Sequence, residues 1–538
     1  MNDATSRTLF GVGVGPGDPE LVTVKTVRIL READVILVPY TEATTDGPGR
    51  AESIITAVAP DIAGRIRRIP FSMRERSGVG EKRKASWQVS SDAVVTAFDE
   101  GARTVALATV GDPTVFSTFT YLRANVEERL PDVTVELSPG ITAMQALSAA
   151  SGRPLVEGKE ILALVPATVG ISKLGQVLDL VDSVAIYKGG RKLPDVVEQL
   201  RSRDRQAVIG TDVTLVSEPQ AARPTQHVSE KALEDLDHNV IEPPPVPRRD
   251  IPEGAGKVVF VGAGPGAPDL VSVRGARVIE TADIIIWASS LVHPDMVARH
   301  KEGAELIDSA SIPLEDLEPL YTRARDEGLM VARVHTGDPS IYGATAEQRD
   351  LCRRIGIDFE TIPGISAFSA AAARMDVEIT VPEVSQSLIL TRLEGGRTPM
   401  PDGETVASFA RHGATMAIYL SAARNKALQE ALLEGGYLPE TPCIIGYAVT
   451  WPEEMMFRCD LAHLSETMRN HKLWKHAVVL VGPALAEGPI STRSHLYHPG
   501  FRHEYRAADA QAHADLKAHG TCGVYHRNST NPDTKGNS

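Results

Sequence analysis

Residues 12–19, VGVGPGDP, recur at residues 261–268 as VGAGPGAP. In both places the glycine run follows a short apolar segment and precedes an amphipathic helix with a second apolar segment, at 21–38 and 270–287. Two further motifs repeat in the same order: GDP at 111–113 and 337–339, and PGI(T/S)A at 139–143 and 363–367. The repeated unit is much longer than the roughly 20–50 residues of a solenoid repeat. The sequence therefore predicts two similar modules joined end to end.

Short apolar runs alternate with helical periodicity in both modules. Residues 34–38 and 104–108 in the first module, and 283–287 and 330–334 in the second, are largely apolar and end near turn residues. Such strands are typical of parallel sheets that helices cover on both faces. The sequence predicts an α/β fold with two α/β subdomains per module, divided where Pro-Gly ends one strand and begins a helix.

A proline-rich run, EPPPVPRRDIP at 242–252, marks the division between the modules, because so many prolines exclude helix and sheet interiors. The first module lacks the last helix and the closing apolar strand that residues 476–481 provide in the second, so its second subdomain is predicted to be shortened. The predicted divisions are 8–138 and 139–238 for the first module, 239–256 for the linker, 257–362 and 363–486 for the second module, and 487–538 for a polar, partly disordered tail.

Composition excludes several classes of protein. The formal net charge of −14 disfavours a nucleic-acid surface, which needs a basic stripe. No apolar run approaches the ~20 residues of a membrane span, and the N-terminus carries no basic, apolar leader. The four cysteines lack CxxC spacing, and the histidines of the tail are irregularly spaced, so no metal site is predicted. The expectation is a soluble cytoplasmic protein.

The glycine runs raise the possibility of a dinucleotide fold. Residues 262–267 fit a loosened form of that fingerprint, but the first copy has Asp18 at the close-packing position. In neither module is the second apolar run, at 34–38 or 283–287, followed by the acidic residue that would bind a ribose in a dinucleotide fold. These features disfavour a nicotinamide-dependent oxidoreductase and leave the loops available to another flat ligand.

Together with the later runs AIYK at 185–188 and AIYL at 417–420, these motifs resemble the S-adenosylmethionine-dependent tetrapyrrole methylases of the vitamin B12 pathway. The resemblance covers roughly residues 8–220 and 257–500. The second copy resembles the precorrin-4 C11-methyltransferases at 380–392, 396–401, 451–454 and 494–497. The first copy resembles the precorrin-2 C20-methyltransferases at 11–18, 39–42, 51–54, 111–121 and 164–168. This likeness implies, in each module, a cleft between the two subdomains.

The resemblance also implies the ligands and their binding residues. S-adenosylmethionine is the expected methyl donor and S-adenosylhomocysteine the product. The donor-binding positions that it implies in the first module are Val110, Gly111, Asp112, Val115, Thr142, Ala143, Lys188 and Val213. Those in the second module are Thr336, Gly337, Asp338, Ile341, Ser366, Ala367, Leu420 and Val449.

The macrocyclic substrate carries many carboxylates. The resemblance implies that it faces the glycine loops, Gly15, Pro16 and Gly17 in the first module and Gly264, Pro265 and Gly266 in the second. Arg392 and Arg397 suit carboxylates in the second cleft. Asp18 is a candidate proton acceptor, and capping of the helix that starts at Pro19 explains it equally well. Ala267 stands at the matching position of the second module.

These features predict a bifunctional C-methyltransferase of cobalamin biosynthesis, which methylates precorrin-2 at C20 in the first module and precorrin-4 at C11 in the second. The substrates are the metal-free or the cobalt forms of these tetrapyrroles. In the alternative, only the second module is active and the shortened first module serves binding or assembly. Proteins of the family that this chain resembles are commonly dimeric, which implies either a homodimer or a pairing of the two modules within one chain. No nucleic-acid or membrane partner is expected.

Overall fold

The computed structural model describes residues 7–40, 47–70, 81–117, 119–210, 213, 240–241, 256–381, 384–395 and 404–486. Strands and helices alternate along the first half. The strands are β1 (Thr8–Gly13), β2 (Val35–Tyr40), β3 (Ile66–Pro70), β4 (Thr104–Thr109), β5 (Thr134–Ser138), β6 (Leu162–Pro166), β7 (Ser183–Tyr187), β8 (Ala207–Val208) and β9 (Val240–Ile241). The helices are α1 (Val24–Glu32), α2 (Arg50–Val58), α3 (Glu81–Asp99), α4 (Phe119–Arg129), α5 (Ala143–Ser151), α6 (Ile171–Leu178) and α7 (Leu193–Arg201).

The second half repeats this alternation. Its strands are β10 (Lys257–Gly262), β11 (Ile284–Trp287), β12 (Glu305–Asp308), β13 (Met330–His335), β14 (Asp358–Ile362), β15 (Leu388–Arg392), β16 (Thr415–Tyr419), β17 (Pro442–Tyr447), β18 (Met455–Asp460) and β19 (Ala477–Val481). Its helices are α8 (Val273–Thr281), α9 (Pro294–Val297), α10 (Leu317–Glu327), α11 (Thr345–Ile355), α12 (Ala367–Arg374), α13 (Val406–Ala410), α14 (Asn425–Glu434) and α15 (Leu464–Asn470). Within the described ranges, no helix has the length and apolar character that crossing a bilayer requires.

Each half begins with a parallel five-stranded sheet. The strand orders are β3-β2-β4-β1-β5 and β12-β11-β13-β10-β14, and every pairing in them is parallel. Separate apolar clusters cover the two faces of the first sheet, which explains why its strands are apolar throughout. The α/β class predicted from the sequence is confirmed. Because β1 lies between β4 and β5, the loops that follow these three strands meet at one edge of the sheet.

Strand β2 runs further than the sequence predicted. The sequence ends this strand at Pro39, whereas the structure continues it through Tyr40. Pairing with β4 stops at Leu37, while pairing with β3 continues to Tyr40. Beyond Leu37 the strand is therefore an edge on one side, where a proline without an N–H is tolerated.

The strands after the first sheets of both halves form one shared sheet. Its order is β18-β17-β19-β16-β15-β6-β7, so two strands of the first half extend the sheet of the second half. Strand β6 pairs antiparallel with β15, with Leu162 opposite Leu390 and Leu164 opposite Leu388. All four leucines are fully buried. The two halves therefore share a sheet and a core; the sequence allowed a pairing of the two modules within one chain but did not indicate a shared sheet.

Strand β7 is an edge strand. In the second half, β19 pairs with both β16 and β17, so β16 is an interior strand of the sheet. In the described part of the first half no strand occupies the corresponding position, and β8 instead pairs with β9 in a separate small sheet. All five residues of β7 are only half-buried, whereas four of the five residues of β16 are buried.

The halves also contact each other through two reciprocal backbone hydrogen bonds. The Val24 N–H donates to the Val271 carbonyl at 3.0 Å, and the Val273 N–H donates to the Val22 carbonyl at 2.9 Å. These segments follow the two glycine loops, so equivalent residues face one another, which indicates an approximate two-fold relation.

Two ion pairs repeat the same relation. Arg28 pairs with Asp269, and Arg277 pairs with Glu20. Since all four side chains are substantially exposed, each pair contributes little to stability. The free energy of association between the halves comes mainly from the buried strands and their apolar side chains.

We expect the halves to stay together after the chain is cut between them. A specific protease site inserted near residue 247, followed by cleavage, should leave both fragments in one peak in gel filtration, because β6 and β15 remain paired. Ala163→Pro removes a backbone donor from a central strand and should promote separation of the cleaved fragments. Separation of the unsubstituted fragments under native conditions would contradict the shared sheet.

Candidate active site

The three repeated motifs of the first half meet at the carboxyl ends of β1, β4 and β5. The Gly111 N–H donates to the Gly15 carbonyl at 2.8 Å, which joins the GDP loop to the glycine loop. The Gly140 N–H donates to Asp112 at 2.9 Å, which joins the GDP loop to the PGITA segment. A Cβ on Gly140 would lie 2.0 Å from the Gly111 carbonyl oxygen, so no larger residue fits there. The third motif thus needs its glycine for close backbone approach.

The second half has the same arrangement. The Gly337 N–H donates to the Gly264 carbonyl at 2.7 Å, and the Gly364 N–H donates to Asp338 at 2.9 Å. A Cβ on Gly364 would lie 2.2 Å from the Gly337 carbonyl oxygen. The chain therefore carries two equivalent loop clusters, one in each half.

The carboxylates of Asp112 and Asp338 hold these loops together. Each is 2% exposed. Asp112 accepts from the backbone of Thr114 at 2.7 Å as well as from Gly140, and Asp338 accepts from the backbone of Ser340 at 2.8 Å. Burial raises the pKa of Asp112 to about 6, against the effect of its hydrogen bonds, and raises the pKa of Asp338 in the same way. Both carboxylates therefore have hydrogen-bond partners within the protein and connect successive loops of their cluster.

A tyrosine connects each cluster to the shared sheet. The Tyr187 hydroxyl accepts from the Met144 N–H at 3.2 Å, and the Tyr419 hydroxyl accepts from the Phe368 N–H at 3.3 Å. Both N–H groups lie in the first turn of a helix, where backbone donors lack partners within the helix. Burial raises the pKa of both phenols.

An aromatic ring and a strained residue accompany each tyrosine. The ring centroids of Phe116 and Tyr187 are 5.1 Å apart, and those of Tyr342 and Tyr419 are 5.7 Å apart. The residues that follow the tyrosines, Lys188 and Leu420, have φ angles of 57° and 52°. Positive φ in a non-glycine residue is strained and is often found at functional sites.

The predicted donor-binding positions lie around these clusters. Val110 and Leu420 are 40% and 77% exposed. Ala143, Lys188 and Thr336 are also exposed, whereas Ala367 is half-buried. The buried members are Val115, Thr142, Ile341, Ser366 and Val449. At Gly111 an added Cβ would meet no atom within 4 Å, so the loop backbone is open there.

Of the remaining predicted binding residues, the structure describes Val213 and Arg392 but not Arg397. Val213 is described, and its side chain would contact a Cβ placed on Gly210. Arg392 ends β15 opposite Tyr419 and is half-buried. Burial raises the pKa of the Tyr342 phenol, and the nearby Arg392 guanidinium opposes this shift. Arg397 lies outside the described residues.

The glycine loop of the second half is covered by a loop of the shared sheet. The Trp451 indole N–H donates to the Pro265 carbonyl at 2.8 Å, and the Ala267 N–H donates to the Thr450 hydroxyl at 2.9 Å. Gly264 and Gly266 are buried, and a Cβ on Gly266 would lie 2.3 Å from the indole ring. Gly15, Pro16 and Gly17 of the first half are buried as well.

Asp18 caps the short 3₁₀ helix Pro19–Leu21. Its Oδ1 accepts from the Glu20 N–H at 2.9 Å, and the residue is half-buried. Capping is therefore an observed role of this carboxylate, whereas proton acceptance stays a prediction.

Sequence reasoning missed the residues that act between the halves. The Gln145 side-chain amide donates to the Gly364 carbonyl at 2.7 Å and to the Ser366 hydroxyl at 3.1 Å. The two tyrosines were within reach of the sequence, because both occur in the repeated Ala-Ile-Tyr runs. Gln145 has no repeat to indicate it, since Ser369 takes its place in the second half.

Several known proteins are similar to parts of this chain. Cobalt-precorrin-4 C(11)-methyltransferase of Methanocaldococcus jannaschii is 44% identical over 250 residues, which are 46% of this chain and 96% of that protein. Cobalamin biosynthesis protein CobIJ of Mycobacterium bovis is 28% identical over 387 residues, which are 68% of this chain and 71% of that protein. A solved structure of a cobalt precorrin-4 methyltransferase, CbiF, is 39% identical and covers 43% of this chain and 96% of its own, with a TM-score of 0.42.

A family model described as Tetrapyrrole (Corrin/Porphyrin) Methylases matches residues 8–237 and again residues 257–465. These ranges include the three loop motifs of each half, together with β7 and β16. The chain therefore belongs to the tetrapyrrole methylase family, with one family domain in each half.

Proposed function

We propose that this chain is a bifunctional S-adenosylmethionine-dependent C-methyltransferase of corrin-ring construction. In this proposal the first half methylates precorrin-2 at C20 and the second half methylates precorrin-4 at C11. The observation that carries it is the presence of two complete loop clusters, each joined by the same hydrogen bonds. The names of the relatives support methylation of precorrin-4 at C11 and a fused pair of cobalamin enzymes.

The donor sites fit a ligand that is held mainly by backbone groups. We assign to the donor the exposed or half-buried positions Val110, Gly111, Ala143 and Lys188 in the first half, and Thr336, Gly337, Ala367 and Leu420 in the second. Buried Val115, Thr142, Ile341, Ser366 and Val449, together with Val213, complete the walls in this proposal. When bound, S-adenosylmethionine supplies an electrophilic methyl group.

The protein's contribution to the reaction is mainly orientation. A substrate carbon attacks the methyl group, a carbon–carbon bond forms as the carbon–sulfur bond breaks, and the methylated substrate then loses a proton. Loops that are fixed by buried carboxylates can hold two reactants in near-attack geometry, which is worth effective molarities on the order of 10⁵–10⁸ M. Exclusion of water from the cleft assists this placement.

The two sites differ in their charged residues, which is consistent with different substrates. Asp18 and Lys188 of the first half correspond to Ala267 and Leu420 of the second. Conversely, Arg392 ends β15, while Pro166 ends the corresponding strand β6. We assign Arg392, with Arg397, to substrate carboxylates in the second half, and we assign the glycine loops of both halves to the macrocycle.

A second candidate function follows from the open edge of β7. Among the described residues of the first half, no strand pairs with the outer edge of β7, whereas β19 pairs with β16 in the second half. In this candidate the first half serves binding or assembly, and the second half alone methylates precorrin-4. The two candidates differ in whether precorrin-2 is a substrate.

Incubation of the purified chain with labelled donor and either precorrin-2 or precorrin-4 tests this directly. We expect each tetrapyrrole to gain one methyl group, at C20 and C11 respectively, by mass spectrometry and nuclear magnetic resonance. The cobalt forms should be compared in parallel, because the sequence leaves this choice open. Methylation of precorrin-4 alone would favour the second candidate, and methylation of neither would contradict both.

Substitution of the close-packed glycines should separate the two sites. Gly140→Ala should abolish donor binding in the first half and Gly364→Ala in the second, because each new Cβ collides with a loop carbonyl and costs about 1–3 kcal/mol or more. Calorimetric titration with S-adenosylhomocysteine should show one binding event fewer in either variant. Gly64→Ala is the matched control, since its Cβ would meet no atom within 4 Å. Full binding by both glycine variants would contradict the assignment.

Arg392→Met should impair only the second reaction. Loss of a charge-assisted hydrogen bond of about 1.5–3 kcal/mol raises the KM for precorrin-4 roughly ten- to a hundredfold. Arg392→Lys should have an intermediate effect, because lysine keeps the charge but not the planar fork. Turnover of precorrin-2 by the same samples is the internal control, and an unchanged KM for precorrin-4 would exclude a substrate role for Arg392.

A further inference from the structure

A segment of the second half lies directly on the donor loop of the first half. The Ile379 N–H donates to the Thr114 carbonyl at 2.9 Å, and the Phe116 N–H donates to the Thr380 hydroxyl at 2.8 Å. These two bonds fix residues 379–380 against the GDP loop. The preceding residue, Glu378, is thereby held beside the first site although it belongs to the other half.

Glu378 is an unusual residue to bury. It is 2% exposed, and its Oε2 has no hydrogen-bond partner among the described atoms. The groups that interact with its carboxyl are the side chain of Thr120, through a hydrogen bond, and the ammonium group of Lys188. Both belong to the first half. Burial of a carboxyl with one unpaired oxygen costs stability, and packing of the second half alone gives no reason for it.

Lys188 lies between this buried carboxyl and the solvent. It follows β7 in the left-handed conformation, and its Nζ lies 5.3 Å from the centroid of the Phe116 ring. Lys188 is exposed, yet surrounding protein lowers the pKa of its ammonium group, which Glu378 partly opposes. The Lys188 side chain thus interacts with Phe116 and with the buried Glu378, while part of its surface stays exposed.

The second site has neither member of this pair. Its reciprocal contact is the hydrogen bond from the Leu155 N–H to the Ser340 carbonyl, so Pro154 takes the place of Glu378. Leu420 takes the place of Lys188. The pair therefore distinguishes the first site from the second and is not a general requirement of the fold.

We propose that Glu378 of the second half is a positioning residue for the first half's site, where it orients Lys188 toward a carboxylate of the bound ligand. This inference rests on the proposed function of that site. Both the macrocycle and the methyl donor carry carboxylates that Lys188 can bind. The experiment determines which of these two ligands supplies the carboxylate. Burial raises the pKa of Glu378 to about 8, so near neutral pH its carboxyl is mostly protonated and leaves the charge of Lys188 available to the ligand.

The test uses the full chain with Lys188→Met, Glu378→Ala, Glu378→Gln and the double variant Lys188→Met/Glu378→Ala. S-adenosylhomocysteine affinity is measured by calorimetry, precorrin-2 affinity by its absorbance change, and kcat and KM for precorrin-2 by turnover. We expect Lys188→Met and Glu378→Ala to weaken one of these ligands about tenfold, as for loss of one charge-assisted hydrogen bond, with a smaller change in kcat. Weaker precorrin-2 binding identifies the macrocycle, and weaker S-adenosylhomocysteine binding identifies the donor.

Two comparisons separate positioning from a purely structural role. Glu378→Gln, which has the shape of the neutral carboxyl group, should recover most of the loss caused by Glu378→Ala. The double variant should be no weaker than Lys188→Met, because the two residues act together. Glu198→Ala, at an exposed glutamate of α7, is the matched control for removal of a carboxylate.

Unaltered affinity for both ligands in Glu378→Ala would overturn the inference, and so would additive losses in the double variant. A loss accompanied by an equal fall in precorrin-4 turnover would also overturn it, because that result indicates general misfolding. Failure of the unsubstituted chain to methylate precorrin-2 would contradict the proposed function instead. The two binding measurements would still decide whether Glu378 acts on the first site.

Discussion

The antiparallel pairing of β6 with β15 is the interaction on which the rest of the architecture depends. It places buried leucines of both halves opposite one another and converts two sets of strands into one sheet. An unpaired β6 would expose a row of backbone donors and acceptors beside fully apolar side chains, which is unfavourable in water. The first half therefore completes its second sheet with strands of the other half.

This pairing also determines which residues can reach each site. With the sheets joined, the segments that follow α5 and α12 each cross to the GDP loop of the opposite half. The Arg123 side chain donates to the Asp376 carbonyl at 2.8 Å, and the Arg349 side chain donates to the Gly152 carbonyl at 2.7 Å. These bonds fix the ends of both crossing segments. The GDP loop of each half is thus supported by backbone from the other, so the two loop clusters are structurally coupled even though they are separate.

The local parts of this molecule could be predicted from its sequence, whereas the contacts between halves could not. The glycine loops, the GDP turns and the PGI(T/S)A segments occur at the ends of strands, and their repetition in order predicted two similar α/β modules. The shared sheet depends on the register of β6 against β15, which no local pattern of apolar residues specifies. Glu378 escaped prediction for the same reason, because its partners lie more than 180 residues away in the chain. The sequence predicted Asp112 and Asp338 as donor-binding residues, and the structure shows that both carboxylates accept hydrogen bonds that connect the loops.

The distribution of repeated and unrepeated residues follows from what each position must do. Positions that maintain the two-fold contacts keep equivalent chemistry: Arg28 and Arg277 each pair with an acid of the other half. Positions that close the loop clusters are restricted to glycine by carbonyl oxygens about 2 Å from any Cβ. Charged positions beside the loop clusters have no such restriction, since Lys188 and the buried Glu378 at the first cluster correspond to Leu420 and Pro154 at the second. Packing therefore fixes the backbone of both loop clusters, while the less restricted positions beside them differ in charge between the two halves.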